Sequence, residues 1–504
     1  MKKSQWIIEK NYIIAQTEPR LFGSFIEHLG RAVYTGIYEP GHPTADEQGF
    51  RTDTLELVRQ LNVPIIRYPG GNFVSGYRWT DGIGPVKDRP KRLDLAWKSI
   101  ETNEIGIDEF VDWCKKANSE VMAAVNLGTG TPADASQLVE YCNHPAGSYW
   151  SDLRRKYGHE APHNIKVWCL GNEMDGPWQI CTLTAAEYGK KALETAKMMR
   201  WVDPSIQLVA CGSSGTGMPT FPEWDRIILE FLYEQVDFIS LHSYYGYDDS
   251  DNHGDFLASF VDMDNFIHTI AATVDYVKAK TRSKKNVYLS FDEWNVWAHR
   301  NETFKTWDYA QPRLEQVYNL LDALVFGGLI CSLVNHADRI KIACLAQLIN
   351  AIAPIVTQPG GSVLKQTIFY PFQQVSQYGR GQVLKPIITA PKFESKKYGD
   401  VPVLQSTTVY QEEKEAINIF ILNCDQGDDV EVTFDFRSFG KVTLLEHVVL
   451  NGPDLSAVNS FEAPETVKPH NQPVNSQPAA QQQVVLPKLS WNLLRFSTRT
   501  DSGI

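Results

Sequence analysis

Two glutamates stand where side chains could do acid–base chemistry together. Glu173 ends the run IKVWCLGNE and Glu293 ends NVYLSFDEW. Each closes a short apolar stretch, so the backbone before it can be fixed while the carboxylate reaches into a cavity. Breaking a glycosidic bond needs such a pair: one group to protonate the leaving oxygen and one carboxylate facing the anomeric carbon. An isolated glutamate more often only pairs with a nearby Arg or Lys, but the matching context of these two favours the chemical reading. Asn172, immediately before Glu173, can hydrogen-bond a sugar 2-hydroxyl, a contact that strengthens as oxocarbenium charge develops. It could also simply cap the turn after the strand.

The elements that must position these residues recur along residues 20–348. Apolar runs at 20–28, 63–71, 120–128, 165–173, 206–214, 236–245, 286–294 and 340–348 alternate with helix-length amphipathic stretches such as IDEFVDWCKKAN and AAEYGKKALETAKMMRW. Eight such units predict a closed parallel (β/α)8 TIM barrel. An open doubly wound sheet could use the same strands, but no GxGxxG or GxxxxGK[ST] follows the first of them. The runs begin apolar and end polar or in glycine, which gathers Glu27, Arg67, Asn72, Asn126, Asn172, Glu173, His242, Tyr244, Glu293 and Gln347 at strand ends. In a barrel those ends share one mouth, where the active site lies.

Beyond residue 385 the texture changes to short β-branched or aromatic runs such as AINIFILNC and SWNLLRFSTR. These predict a C-terminal antiparallel β-sandwich of the jelly-roll kind. The expected boundaries are 18–385 for the barrel, and 1–17 plus 386–504 for the sandwich, which QWIIEKNYIIA would join. Residues 456–483, rich in Pro, Gln, Ser and Asn, predict a flexible loop between two strands.

Composition narrows the partners. Across 504 residues, 48 Lys and Arg face 60 Asp and Glu, a net charge of −12. Such a surface repels phosphate backbones and anionic lipid, so no nucleic acid and no membrane partner is expected. The most apolar window, Ala323 to Val334, falls well short of the roughly 20 residues that span a bilayer. MKKSQWIIEKNY meets Glu9 and Lys10 before any apolar stretch develops, so no secretion leader is expected. The 8 cysteines form no CxxC pair and several sit inside apolar runs, which fits buried thiols in a reducing cytoplasm.

Several long motifs in order, GSFIEHLGRAVYTGIYEPGHP, RYPGGNFVSGYRW, GNEMDGPWQ, HSYYG, FDEWNVW, ACLAQLINAIAPI and LPKLSWNLLRF, closely resemble the α-L-arabinofuranosidases of glycoside hydrolase family 51. The resemblance covers essentially the whole chain. It implies a clan A barrel with a C-terminal sandwich, no cofactor and no metal. It also implies retention of configuration and release of terminal arabinofuranose from arabinan, arabinoxylan and arabino-oligosaccharides. On it, Glu173 becomes the general acid/base and Glu293 the nucleophile. Sugar contacts fall on Glu27, Arg67, Asn72, Asn172, His242, Tyr244 and Gln347, with Trp97, Trp178 and Trp297 as apolar walls. A homo-oligomer, a hexamer in the family's pattern, is implied as well. One departure is HSYY where relatives carry HQYY; Ser243 points away from the pocket if Tyr244 points in.

The residues taken alone leave alternatives. Glu27 could accept from sugar hydroxyls or pair with Arg31 or Arg67, and Arg67 could hold Glu293 or clamp the fold. A metal-dependent barrel enzyme could recruit His242, His336, Asp338, Glu173 and Glu293, although no HxH or HExxH spacing is present. A carbohydrate-binding protein would need the aromatics but not both glutamates. Within the clan, a β-xylosidase or endoglucanase is the runner-up.

Overall fold

The computed structural model describes residues 1–247, 252–298 and 305–499. Eight parallel strands form a closed barrel in chain order: β1 (Gly23–Phe25), β2 (Ile65–Tyr68), β3 (Glu120–Val125), β4 (Val167–Leu170), β5 (Gln207–Ala210), β6 (Phe238–Tyr245), β7 (Tyr288–Val296) and β8 (Ile340–Ala346). Closure is made by β8 against β1, with Cys344 opposite Gly23 and Ala346 opposite Phe25. The barrel read from the eight apolar runs is therefore the barrel observed.

Both faces of these strands are apolar because both are covered. Phe25, Ile65, Met122, Ala124, Val167, Cys169, Val209, Ile342 and Cys344 fill the interior. Their alternates, among them Ile66, Ala123, Val125, Trp168 and Leu208, pack under the surrounding helices. The helices start where capping chemistry directs. Thr131 with Asp134 opens Pro132–Asn143, Thr184 with Glu187 opens Ala185–Val202, and Asn319 with Asp322 opens Leu320–Asn335.

Helix Leu320–Asn335 holds the most apolar window of the chain, and its residues from Leu320 to Val334 are all buried. It lies between the barrel and the sandwich. Gly327 sits so close to Trp491 that a Cβ there would come within 2.4 Å of the indole. No helix among the described residues is long and apolar enough to cross a membrane.

The sandwich has two sheets. One joins Lys2–Ile7, Ile387–Thr389, Val430–Asp435 and Gln481–Leu486; the other has seven strands, with Ala416–Asn423 and Ser490–Ser497 near its centre. Pairing is antiparallel except where Lys2–Ile7 runs parallel to Val430–Asp435. Trp6, Ile419, Ile421, Val432, Phe434, Leu494 and Phe496 form the core between the sheets. The N-terminal segment supplies a strand to each sheet, Lys2–Ile7 and Ile13–Gln16.

Two details differ from the sequence expectation. Gln382–Leu384, on the barrel side of the expected boundary at 385, is paired with Ile13–Gln16 and Leu404–Gln411 in the sandwich. Residues 456–483, expected as a flexible loop, are anchored. Val467 and Asn459 are buried, the Asn459 side chain bonds the Val467 backbone and Lys365 O, and His470–Asn471 pairs with Thr443–Leu450. Most of this stretch is exposed, and it is pinned where polar side chains such as Asn459 satisfy backbone groups.

Candidate active site

The carboxyl ends of the barrel strands converge on one cluster of charged side chains. After β4 the chain passes Gly171 at φ +89° and Glu173 at φ +43°. A glutamate in the left-handed region is strained, and such strain collects where a side chain must be aimed for function. From across the barrel, β7 contributes Glu293. The β7–β8 register shifts between Phe291 and Trp294, and the β6–β7 register shifts between Ser240 and His242. These irregularities break strict alternation, so the consecutive residues Asp292 and Glu293 both meet His242.

Glu293 is only 5% exposed and both of its oxygens are engaged. Arg67 Nη1 donates to Oε1 at 2.6 Å and the Tyr244 hydroxyl to Oε2 at 2.7 Å. The other arm of Arg67 donates to Asn172 Oδ1 at 2.7 Å. Burial pushes the Tyr244 phenol far above its usual range, and the Glu293 charge adds to this, so Tyr244 stays a donor.

Glu173 is gripped differently. Trp178 Nε1 donates to its Oε2 at 2.7 Å, and His242 Nδ1 lies 3.0 Å from its Oε1. The other imidazole nitrogen, Nε2, is 2.8 Å from Asp292 Oδ1. Burial alone would lower the His242 pKa, but Glu293, Asp292 and Glu173 outweigh it and push it up to about 10. Both ring nitrogens are therefore donors at neutral pH. Glu173, His242 and Glu293 each place an atom within 4.8 Å of the others. A cationic imidazole offers no lone pair, which argues against a metal held by this trio.

Glu27, 3% exposed, forms the other wall. Its Oε1 accepts from Phe73 N at 2.9 Å and Trp97 Nε1 at 2.8 Å, while Gln347 Nε2 lies 3.4 Å from Oε2 and Gln347 Oε1 accepts from Glu27 N at 2.9 Å. Burial pushes the Glu27 pKa up to about 8, against the pull of those two N–H donors. Neither arginine considered as its partner pairs with it: Arg31 is bound to Glu315 and Arg67 to Glu293.

The remaining expected residues are nearby. Asn72, half-buried, accepts from Asn172 Nδ2 at 3.4 Å. Trp297 stands edge-on to Tyr244 at 5.3 Å, and Trp178 is half exposed at the rim. Ser243 is buried while its neighbour Tyr244 reaches Glu293, as the HSYY reading expects. His336 and Asp338 lie outside this cluster: His336 bonds Asp264 and Asp338 is exposed. Asp292 is the residue that sequence reasoning missed. Its only signal was a second carboxylate next to Glu293, which strict strand alternation would turn away from the mouth.

Residues 57–260 match the family described as Alpha-L-arabinofuranosidase 1 domain, and residues 292–490 match Alpha-L-arabinofuranosidase C-terminal domain. The "Intracellular exo-alpha-(1->5)-L-arabinofuranosidase 1" of Bacillus subtilis is 54% identical, covering 99% of this chain and 100% of its own. The enzyme of Acetivibrio thermocellus named "Intracellular exo-alpha-(1->5)-L-arabinofuranosidase" is 55% identical over 98% of this chain and 100% of its own. Among solved structures, a family 51 alpha-L-arabinofuranosidase from Bifidobacterium longum superposes with a TM-score of 0.94 at 41% identity, covering 98% of this chain and 100% of that one. An arabinose complex of the Thermotoga maritima alpha-L-arabinofuranosidase gives 0.87 at 31% identity, covering 98% and 99%.

Proposed function

The chain belongs to the α-L-arabinofuranosidases of glycoside hydrolase family 51, and from that membership we propose that its exo-acting hydrolysis of arabinofuranosides runs by double displacement at Glu293 and Glu173. The xylosidase or endoglucanase alternative has no support from these relatives. The observation that carries the reading is that Glu173 and Glu293 face each other across one mouth, one oxygen of each within 4.8 Å of the other, close enough for the retaining arrangement. Retaining enzymes hold the pair about 5–5.5 Å apart, whereas inverting ones need about 6.5–9.5 Å to fit a water.

Glu293 attacks the anomeric carbon, oriented by Arg67 on one oxygen and Tyr244 on the other. Glu173 protonates the departing oxygen. It faces the leaving-group side, because its partner Trp178 stands at the exposed rim. The ionised Glu173 then takes a proton from water, which attacks the covalent arabinosyl–enzyme and frees arabinose with retained configuration. Asn172, fixed by Arg67, is placed for the 2-hydroxyl. Glu27, Asn72, Gln347 and the three tryptophans shape a pocket for a neutral furanose, which needs hydrogen-bond partners and an apolar wall rather than charge.

The relatives named for α-(1→5) linkages favour arabinan-derived oligosaccharides as substrates, with arabinoxylan fragments a further class. Intracellular placement is part of the same reading. It is supported by relatives so named and by seven of the free cysteines being buried, with only Cys181 exposed. A hexamer rests on family resemblance alone. Proton NMR of the sugar first released from a nitrophenyl arabinofuranoside tests the mechanism: the anomer matching the substrate is expected, and the opposite anomer refutes double displacement.

A further inference from the structure

On the outer wall of the barrel, helix Ile107–Ala117 meets helix Pro132–Asn143 and the segment that leads into β4. Asp108, 2% exposed, stands there between two imidazoles. His163 Nε2 is 2.6 Å from its Oδ1 and His159 Nε2 is 3.9 Å from its Oδ2. The three donor atoms all lie within 4.8 Å of one another. We propose that Asp108, His159 and His163 form a structural site for one divalent transition metal ion of the zinc type.

His163 Nε2, at 2.6 Å, already gives the buried Asp108 carboxylate one close partner. The second imidazole, with no hydrogen bond from its ring, is what an ion pair leaves unexplained. Donor type fits: two imidazoles and a carboxylate suit zinc and its neighbours, and leave a fourth position for water. Size fits as well. Ligand bonds of about 2.0–2.2 Å in a tetrahedron put donors about 3.3 Å apart, between the two separations seen. Side-chain adjustment around the one buried carboxylate would seat the ion.

The surroundings are built to hold the ligands. Tyr141 donates its hydroxyl to Asp108 Oδ2 at 2.6 Å, the kind of outer contact that orients a metal-binding carboxylate. His163 N bonds Cys142 O at 2.7 Å. His159 is held at both backbone groups by Arg154, through its carbonyl to Nε at 3.0 Å and its N–H to Arg154 O at 3.2 Å. The same Arg154 reaches Tyr141 O and His144 O, tying the segment to the helix end. Bound metal would thus clamp residues 159–163 to two helices just before the strand that carries Glu173. None of the three ligands belongs to the hydrogen-bond network around Glu173 and Glu293.

The test uses tag-free, full-length enzyme, stripped with EDTA and dialysed. Zinc chloride is titrated in by calorimetry, metal retained after gel filtration is counted by mass spectrometry, and thermal melts are recorded with and without zinc. One zinc per chain and a higher Tm are expected, with arabinofuranosidase kinetics unchanged. His159→Ala should lose the retained zinc. Tyr141→Phe, which keeps the ring, should bind about tenfold more weakly. No retained zinc in the wild type, or equal retention in His159→Ala and Tyr141→Phe, overturns the proposal. Activity that depends on zinc overturns it too, since the ion would then belong at the catalytic cluster.

Discussion

Replacing Glu27 with Gln should remove a pH-dependent part of the protein's stability. In the native state Glu27 is sealed off, 3% exposed, with no cation bound to it among the described residues, and its pKa is pushed from 4.5 to about 8. The unfolded chain releases that proton near 4.5. Between the two values the native state binds more protons than the unfolded one, so this residue's contribution is fully present below pH 4.5 and is lost as pH rises to about 8. A shift of about 3.5 units at 1.36 kcal/mol each gives about 5 kcal/mol as an upper bound. Glutamine cannot titrate. Its amide oxygen can still accept from Phe73 N and Trp97 Nε1, and any fixed cost of its NH2 beside Gln347 is the same at every pH. Urea unfolding midpoints for both proteins at pH 5, 6, 7 and 8 isolate the effect: Glu27→Gln should gain on the wild type by a few kcal/mol from pH 5 to pH 8. Curves that stay parallel would refute the claim that burial outweighs the two donors.

Two further predictions concern the chemistry. Glu173→Ala should lower kcat by about 10²–10⁴ on arabino-oligosaccharides but far less on a dinitrophenyl arabinofuranoside, whose leaving group needs no proton; equal losses would remove Glu173 from the acid role. Arg67→Lys keeps the charge but not the fork that reaches Glu293 and Asn172 together, so steady-state kinetics should show kcat/KM falling about 30-fold, the equivalent of about 2 kcal/mol for one lost charged hydrogen bond, and a loss under threefold would count against it.

The barrel was legible because parallel strands buried on both faces must read as apolar runs, and six of the eight ended in polar residues that now meet at the mouth. Glu173, Glu293 and Arg67 followed from that ending pattern. What sequence could not supply were departures from regular periodicity. Asp292 reaches His242 only because register shifts interrupt alternation around it. Gln382–Leu384 is too short to announce itself as a sandwich strand beside the helix before it. Trp97, expected as a wall for sugar, also commits its indole N–H to Glu27, a pairing between residues 70 positions apart that no local pattern encodes. Asn459 shows the converse, a polar residue in a polar stretch that is buried because its amide caps a distant backbone.

The two glutamates receive different kinds of positive charge, and this difference suits the different work proposed for them. Glu293 is met by Arg67, whose charge is permanent and whose fork is fixed by Asn172 on its other arm. A nucleophile that must return as a carboxylate after each cycle is suited by a partner that never changes state. In the double displacement proposed above, Glu173 gives up a proton in the first step and takes one in the second. Its cation is His242, which is shared with Asp292 at 2.8 Å and lies 3.5 Å from Glu293. When Glu173 becomes negative, His242 can lean toward it without leaving Asp292 unpartnered for hydrogen bonds, since Ser290 also donates to that carboxylate. A fixed charge for the attacking group and a divided one for the proton carrier is the arrangement that double displacement asks for. Asp292 joins this arrangement as one of three carboxylates, after Glu293 and beside Glu173, that hold the His242 pKa up.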